Sequence, residues 1–88
     1  MSFKPTFSIL IHKKALKEID ELSADDKQRI LNAIREMATD PFSGDVKPVR
    51  GVKGVLRRRV GDYRIAFTIN FENAEVIILR AGRRDKFY

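Results

Sequence analysis

Eighty-eight residues suffice for one small domain, and a single domain over residues 1–88 is expected. Hydrophobic residues at 43% beside charged residues at 34% exclude a chain disordered throughout. The absence of cysteine excludes a disulfide framework, a thiol nucleophile and a cysteine metal site. The formal net charge is +6 and its whole excess lies in residues 45–88, which points to an anionic partner.

His12 is the single histidine, so no histidine pair exists to join a ligand set, and no metal or other cofactor is expected. No apolar run is long enough to span a bilayer, and residues 1–10 lack the pattern of a signal peptide, so a cytoplasmic protein without membrane contact is expected.

In chain order, Phe7-Ser8-Ile9-Leu10-Ile11 is a short run of β-formers and predicts a first strand. Ala15, Leu16, Ile19 and Leu22 recur at helical spacing between lysines and carboxylates, which predicts an amphipathic helix over 13–22. His12, ahead of it, reads as a surface or capping group. Ser23 is a good N-cap for a second helix. Asp25 and Asp26 then complement its positive end, and Ile30, Leu31, Ile34, Met37 and Ala38 form its buried stripe up to Asp40-Pro41. Residues 42–54, with Pro48, Gly44, Gly51 and Gly54, read as a loop that also carries Lys47, Arg50 and Lys53.

Leu56-Arg57-Arg58-Arg59-Val60-Gly61-Asp62-Tyr63-Arg64 then reads as a β-hairpin with a type II′ turn at Gly61-Asp62. That turn pairs Val60 with Tyr63, Arg59 with Arg64, Arg58 with Ile65, Arg57 with Ala66 and Leu56 with Phe67. One face is apolar apart from Arg58, which is expected at an edge with its head in water. The other carries Arg57, Arg59 and Arg64. Like charges placed opposite one another destabilise a sheet, so this face is best understood as one that meets a polyanion. A turn over 71–74 and a last strand from Glu75 to about Ala81 follow, and then a basic tail ending on Phe87-Tyr88.

The order predicts an α+β domain, βααβββ, with a two-helix hairpin packed on one face of a four-stranded, mainly antiparallel sheet. The apolar side of the β-hairpin has to meet the helices, so its arginines belong on the open face.

On this order, on His12-Lys13-Lys14-Ala15-Leu16-Lys17-Glu18-Ile19, on Val60-Gly61-Asp62-Tyr63-Arg64 and on the ending Arg83-Arg84-Asp85-Lys86-Phe87-Tyr88, the chain resembles the RelE/ParE toxin superfamily of type II toxin–antitoxin systems. The resemblance covers nearly the whole chain. RelE-like members cut mRNA in the ribosomal A site without metal and are held inactive by an antitoxin; ParE-like members inhibit DNA gyrase. It therefore implies a ribosome-dependent mRNA endoribonuclease with a RelB-like antitoxin, and leaves open operator binding by the complex. The alternatives are a gyrase inhibitor without nuclease activity and an inactive homologue acting only as a binding module.

By that resemblance Arg64 corresponds to the arginine that stabilises the transition state. Arg57 stands where some relatives carry a catalytic lysine, and Arg83 or Arg84 is the basic residue before the terminal tyrosine. Tyr88 is the tyrosine that stacks on a base or exchanges a proton. Arginine stays protonated, so these groups would clamp charge rather than act as bases. Catalytic roles are thus expected for Arg64, Arg57, Arg83 and Tyr88, and RNA contacts for Lys47, Arg50, Lys53, Arg59 and Arg84. The chain departs from the pattern where relatives have a histidine before the last tyrosine, here Arg83, and strand lysines, here Val55 and Arg57.

Overall fold

The computed structural model describes residues 6–83. It contains, in order, β1 (Ser8–Ile11), α1 (Lys13–Asp20), α2 (Ala24–Thr39), β2 (Asp45–Pro48), β3 (Leu56–Val60), β4 (Tyr63–Asn70) and β5 (Glu75–Arg83). The strands form one mixed sheet in the order β1-β5-β4-β3-β2, with β1 parallel to β5 and the other pairs antiparallel.

Both helices begin at side-chain caps. His12 Nδ1 accepts from the Lys14 backbone N–H at 3.1 Å, and Ser23 Oγ accepts from that of Asp26 at 3.3 Å. The helices lie on one face of the sheet and close a core of Ala15, Ile19, Ile30, Ala33, Ile34 and Met37 against Tyr63, Ile65, Phe67, Val76, Ile78 and Ala81. Leu16, expected in the helical stripe, is 48% exposed. Ala33 takes a place in the core instead.

The sheet has five strands rather than the four expected. The additional one is β2, inside the stretch read as a loop. Four residues ending in proline show no periodicity of their own. They become a strand by pairing with β3, Asp45 to Arg59 through Pro48 to Leu56, and Pro48 is tolerated because β2 is an outer strand. The β3–β4 register is the one expected from the turn. Gly61 has φ +59° while Asp62 stays at negative φ, as a II′ turn requires.

One irregularity could not be read from the residues. β4 and β5 pair as Ala66–Arg80 but then as Phe67–Ile78, so Leu79 bulges out of the ladder. Val76 and Ile78 before the bulge, and Ala81 after it, all face the helices.

Candidate functional site

Strand alternation divides the hairpin arginines between two environments. Arg58 points to the helices. It is only 9% exposed, and its guanidinium donates to the Ala33 carbonyl at 3.1 Å, to Ser43 Oγ at 3.2 Å and to Glu36 Oε1 at 2.6 Å. Its head is therefore not in water as expected. The end of α2 supplies acceptors that no reading of the strand alone reveals. Tyr63, on the same face, donates its hydroxyl to Asp26 Oδ2 at 2.6 Å.

The open face carries Arg57 and Arg59 of β3, Arg64 of β4, and Lys47 and Asp45 of β2. Arg59 lies directly across from Arg64, Arg57 from Ala66 and from Lys47, and Gly82 of β5 from Arg64. Between these cations the floor is made of small residues, Ala66 and Gly82. The result is a basin lined by guanidinium groups, which suit the oxygens of a phosphodiester.

The basic groups in the basin are incompletely satisfied. Arg64 is nine-tenths buried, and its Nε is buried with no hydrogen-bond partner among the described residues. Arg57 Nη1 is also buried without a hydrogen bond and lies 3.6 Å from Asp45 Oδ1, an ion pair without hydrogen-bond geometry. Arg59 Nε donates to the Gly61 carbonyl at 3.2 Å, which holds that side chain back over its own turn. Buried guanidinium N–H groups left without acceptors cost free energy that a bound anion's oxygens would return.

The bulge decides what β5 contributes. Past it, Arg80 and Gly82 fall on the open face and Arg83 on the helix side, where its Cζ stands 5.7 Å from the centre of the Tyr63 ring. The structure thus brings Arg57, Arg59, Arg64 and Lys47 onto one face and places Arg83 on the other. Arg50 and Lys53 are exposed on the β2–β3 loop. Arg84 and Tyr88 lie outside the described residues.

Two groups that the sequence did not single out share this face, Asp45 and Arg80, and a third, Glu18, holds Arg80 from the edge of the sheet. Glu18 of α1 accepts a bidentate pair from Arg80 at 3.0 and 2.8 Å, and the Ala81 backbone N–H at 3.2 Å. It so covers the edge of β5 where β1 has ended. Burial acts to raise the Glu18 pKa, but the hydrogen bonds from Arg80 and Ala81 outweigh it and hold the carboxyl below its ordinary value. The pairing of Arg80 with Ala66 depends on the bulge, so only a structural clue to that bulge could have marked Arg80.

The family described as ParE toxin of type II toxin-antitoxin system, parDE, matches residues 9–88. The RelE1 protein of Methanocaldococcus jannaschii, named as a toxin, is 27% identical over 85 residues, which cover 93% of this chain and 94% of the relative. A chain of the archaeal RelE–RelB complex from Pyrococcus horikoshii OT3 superposes with a TM-score of 0.77 at 26% identity, covering 90% of this chain and 96% of that one. A chain of the RelBE2 toxin–antitoxin complex from Mycobacterium tuberculosis gives a TM-score of 0.81 at 22% identity, covering 90% and 99%. At that identity the likeness speaks for the fold, two helices on one face of a mixed sheet.

Proposed function

The chain belongs to the ParE toxin family of type II toxin–antitoxin systems, and from that premise we propose that it is a ribosome-dependent endoribonuclease that cleaves mRNA in the A site and so stops translation. The observation that carries this reading is Arg64. A guanidinium nine-tenths buried on the face away from the helices, flanked by Arg57 and Arg59 and left with an unsatisfied Nε, is a preorganised donor to developing negative charge.

In the proposed reaction the 2′-oxygen of the substrate attacks the adjacent phosphorus as the bond to the 5′-oxygen breaks, leaving a 2′,3′-cyclic phosphate and a 5′-hydroxyl. Arg64 and Arg57 stabilise the extra charge on the non-bridging oxygens, and the ribosome supplies the in-line geometry. Neither arginine can take the 2′-proton. That exchange is assigned to Tyr88, with Arg84 as a further cation, by resemblance to relatives; Arg83, on the helix side of the sheet, is left out of the site. Lys47, Arg50, Lys53, Arg59 and Arg84 contact the RNA backbone. Ribosomes as the target place the protein in the cytoplasm. A RelB-like antitoxin is its partner, as in the Pyrococcus horikoshii RelE–RelB complex, and their complex is a candidate operator-binding species.

The family's own name favours a second reading, a gyrase inhibitor without nuclease activity. Mapping mRNA 5′ ends after pulse expression separates the two, with Arg64→Ala as control. Cuts at a fixed position in translated codons, absent in the control, support the nuclease. Growth arrest with intact mRNA and DNA-damage signalling supports the gyrase inhibitor, and normal growth supports an inactive binding module.

A further inference from the structure

Arg57 and Arg80 stand on opposite sides of Ala66. Arg57 of β3 lies directly across from Ala66, Arg80 of β5 lies across from it on the other side, and Arg64 is the next residue of β4 on the same face. Arg57 and Arg80 are thus the two diagonal neighbours of Arg64, each about 7–8 Å from it along the backbone grid. The Leu79 bulge makes this arrangement, because it turns Arg80 onto the face that Arg64 occupies. Bulges beside functional sites re-aim a side chain in the same way.

We propose that Arg80 binds the RNA phosphate next to the scissile one, with Glu18 as the residue that positions it. The proposal rests on the nuclease reading above and deepens it by setting how the strand lies, across β3, β4 and β5 rather than along them.

The pair with Glu18 is built to hold a guanidinium still. Arg80 donates from Nε at 3.0 Å and from Nη2 at 2.8 Å, one hydrogen bond to each carboxylate oxygen, and the Ala81 N–H fixes the same carboxylate at 3.2 Å. A partly buried ion pair is a weak source of net stability, because both ions lose water. Its other product is an arm that gives up little freedom when a ligand arrives. The Arg80 side chain is 33% exposed against 18% for Glu18, so a ligand reaches the cation before the carboxylate. A guanidinium has five N–H donors, and one that serves a carboxylate along one edge can serve a phosphate along another.

The tether also separates Arg80 from the scissile phosphate. Glu18 reaches it from α1 at the edge of β5 where β1 has ended, which draws the guanidinium away from Arg57. Arg57 and Arg64 share one phosphate, and Arg80, on the far side of Ala66, meets its neighbour. The small floor of Ala66 and Gly82 lets the backbone of the RNA pass between them.

The test uses the full-length chain and its Arg80→Gln and Glu18→Gln variants, with melting curves for each. Filter binding measures affinity for a single-stranded RNA that spans a mapped cleavage site and carries a 2′-deoxy sugar at the attacking position. The RNA is made with all phosphates charged, or with one uncharged methylphosphonate at the scissile phosphate or at either of its neighbours. For the unsubstituted chain, the methylphosphonate at one neighbouring position should weaken binding by about 10-fold. Arg80→Gln should abolish that ratio and make the slope of log K against log salt shallower by about 0.7. Glu18→Gln should shrink the ratio, an effect that a merely structural pair would not have. An unsubstituted chain indifferent to both neighbouring methylphosphonates overturns the proposal without recourse to any variant. So does a ratio that Arg80→Gln leaves intact, or one that it abolishes only at the scissile phosphate. A ratio unchanged in Glu18→Gln overturns the positioning role. In each of these cases, cleavage of mRNA on ribosomes by the unsubstituted chain leaves the nuclease reading standing. A chain that neither binds RNA nor cuts mRNA defeats that reading and the proposal with it.

Discussion

The Tyr63 hydroxyl and Asp26 Oδ2 meet at 2.6 Å, joining the strand that carries Arg64 to the first turn of α2. Each partner shifts the other. The hydrogen bond to Asp26 raises the Tyr63 pKa, and the same bond lowers that of Asp26. Asp26 therefore stabilises the fold above the ordinary aspartate range and loses that contribution as the carboxylate is protonated. Tyr63 contributes below the ordinary tyrosine range and loses it as alkali ionises the phenol. Tyr63→Phe should lower the urea midpoint most at neutral pH and flatten both the acid and the alkaline limbs of the stability profile. Equal destabilisation at every pH would contradict the pairing.

Glu18 is the acceptor for both Arg80 and the Ala81 N–H. Its pKa is held below the usual value, so its contribution is present above that value and lost as pH falls through the depressed one. Glu18→Ala should cost about 1–2 kcal/mol at neutral pH, after allowance for solvent screening of a partly exposed pair, and much less in acid. Amide exchange at Ala81 should rise in the variant. Exchange at Ile65, whose strand is paired on both sides, should change little.

Arg58 and Gly44 are packed against each other. Gly44 has φ +77°, and a Cβ there would stand 2.8 Å from Arg58 Nε. Gly44→Ala should destabilise the fold by about 2 kcal/mol through backbone strain and the displaced guanidinium. In an Arg58→Met background the steric part disappears, so a double-mutant cycle should return a coupling of about 0.5–1 kcal/mol. Strict additivity would show that strain alone sets the cost.

The basin predicts a separation between catalysis and stability. Arg64→Ala should reduce mRNA cleavage by about 100-fold or more, within the range of lost transition-state donors, with an unchanged or raised melting temperature. Arg64→Lys should recover little, because an ammonium cannot make the paired contacts of a guanidinium. Parallel loss of melting temperature and activity would assign Arg64 to the fold.

Asp45 restrains Arg57 from the neighbouring strand at 3.6 Å. Asp45→Asn should free that guanidinium and strengthen binding of single-stranded RNA, with the slope of log K against log salt steeper by about one contact. Filter binding over a salt series measures it. No change in slope would mean that Arg57 does not meet phosphate.

The parts of the fold legible from the sequence were those fixed by local chemistry. Gly61-Asp62 sets the hairpin register, Ser23 starts α2, and the spacing of Ile30, Ile34 and Met37 gives the face that α2 buries. The segregation of Arg57, Arg59 and Arg64 from the core followed from that register. What escaped depends on contacts distant in sequence. Asp45–Pro48 is a strand only because β3 lies beside it, and Arg58 is buried only because Ala33, Ser43 and Glu36 converge on it. Arg83 parts from Arg64 because of a residue that period-two counting does not anticipate.

That residue, Leu79, works as a change of phase within one strand. Before it the even-numbered side chains face the core, and after it the odd-numbered ones do. Were the ladder straightened so that Leu79 took a paired position, Arg80 would turn toward the helices and Ala81 toward solvent. In this chain the bulge after Ile78 thus decides which of the arginines that follow meets the open face.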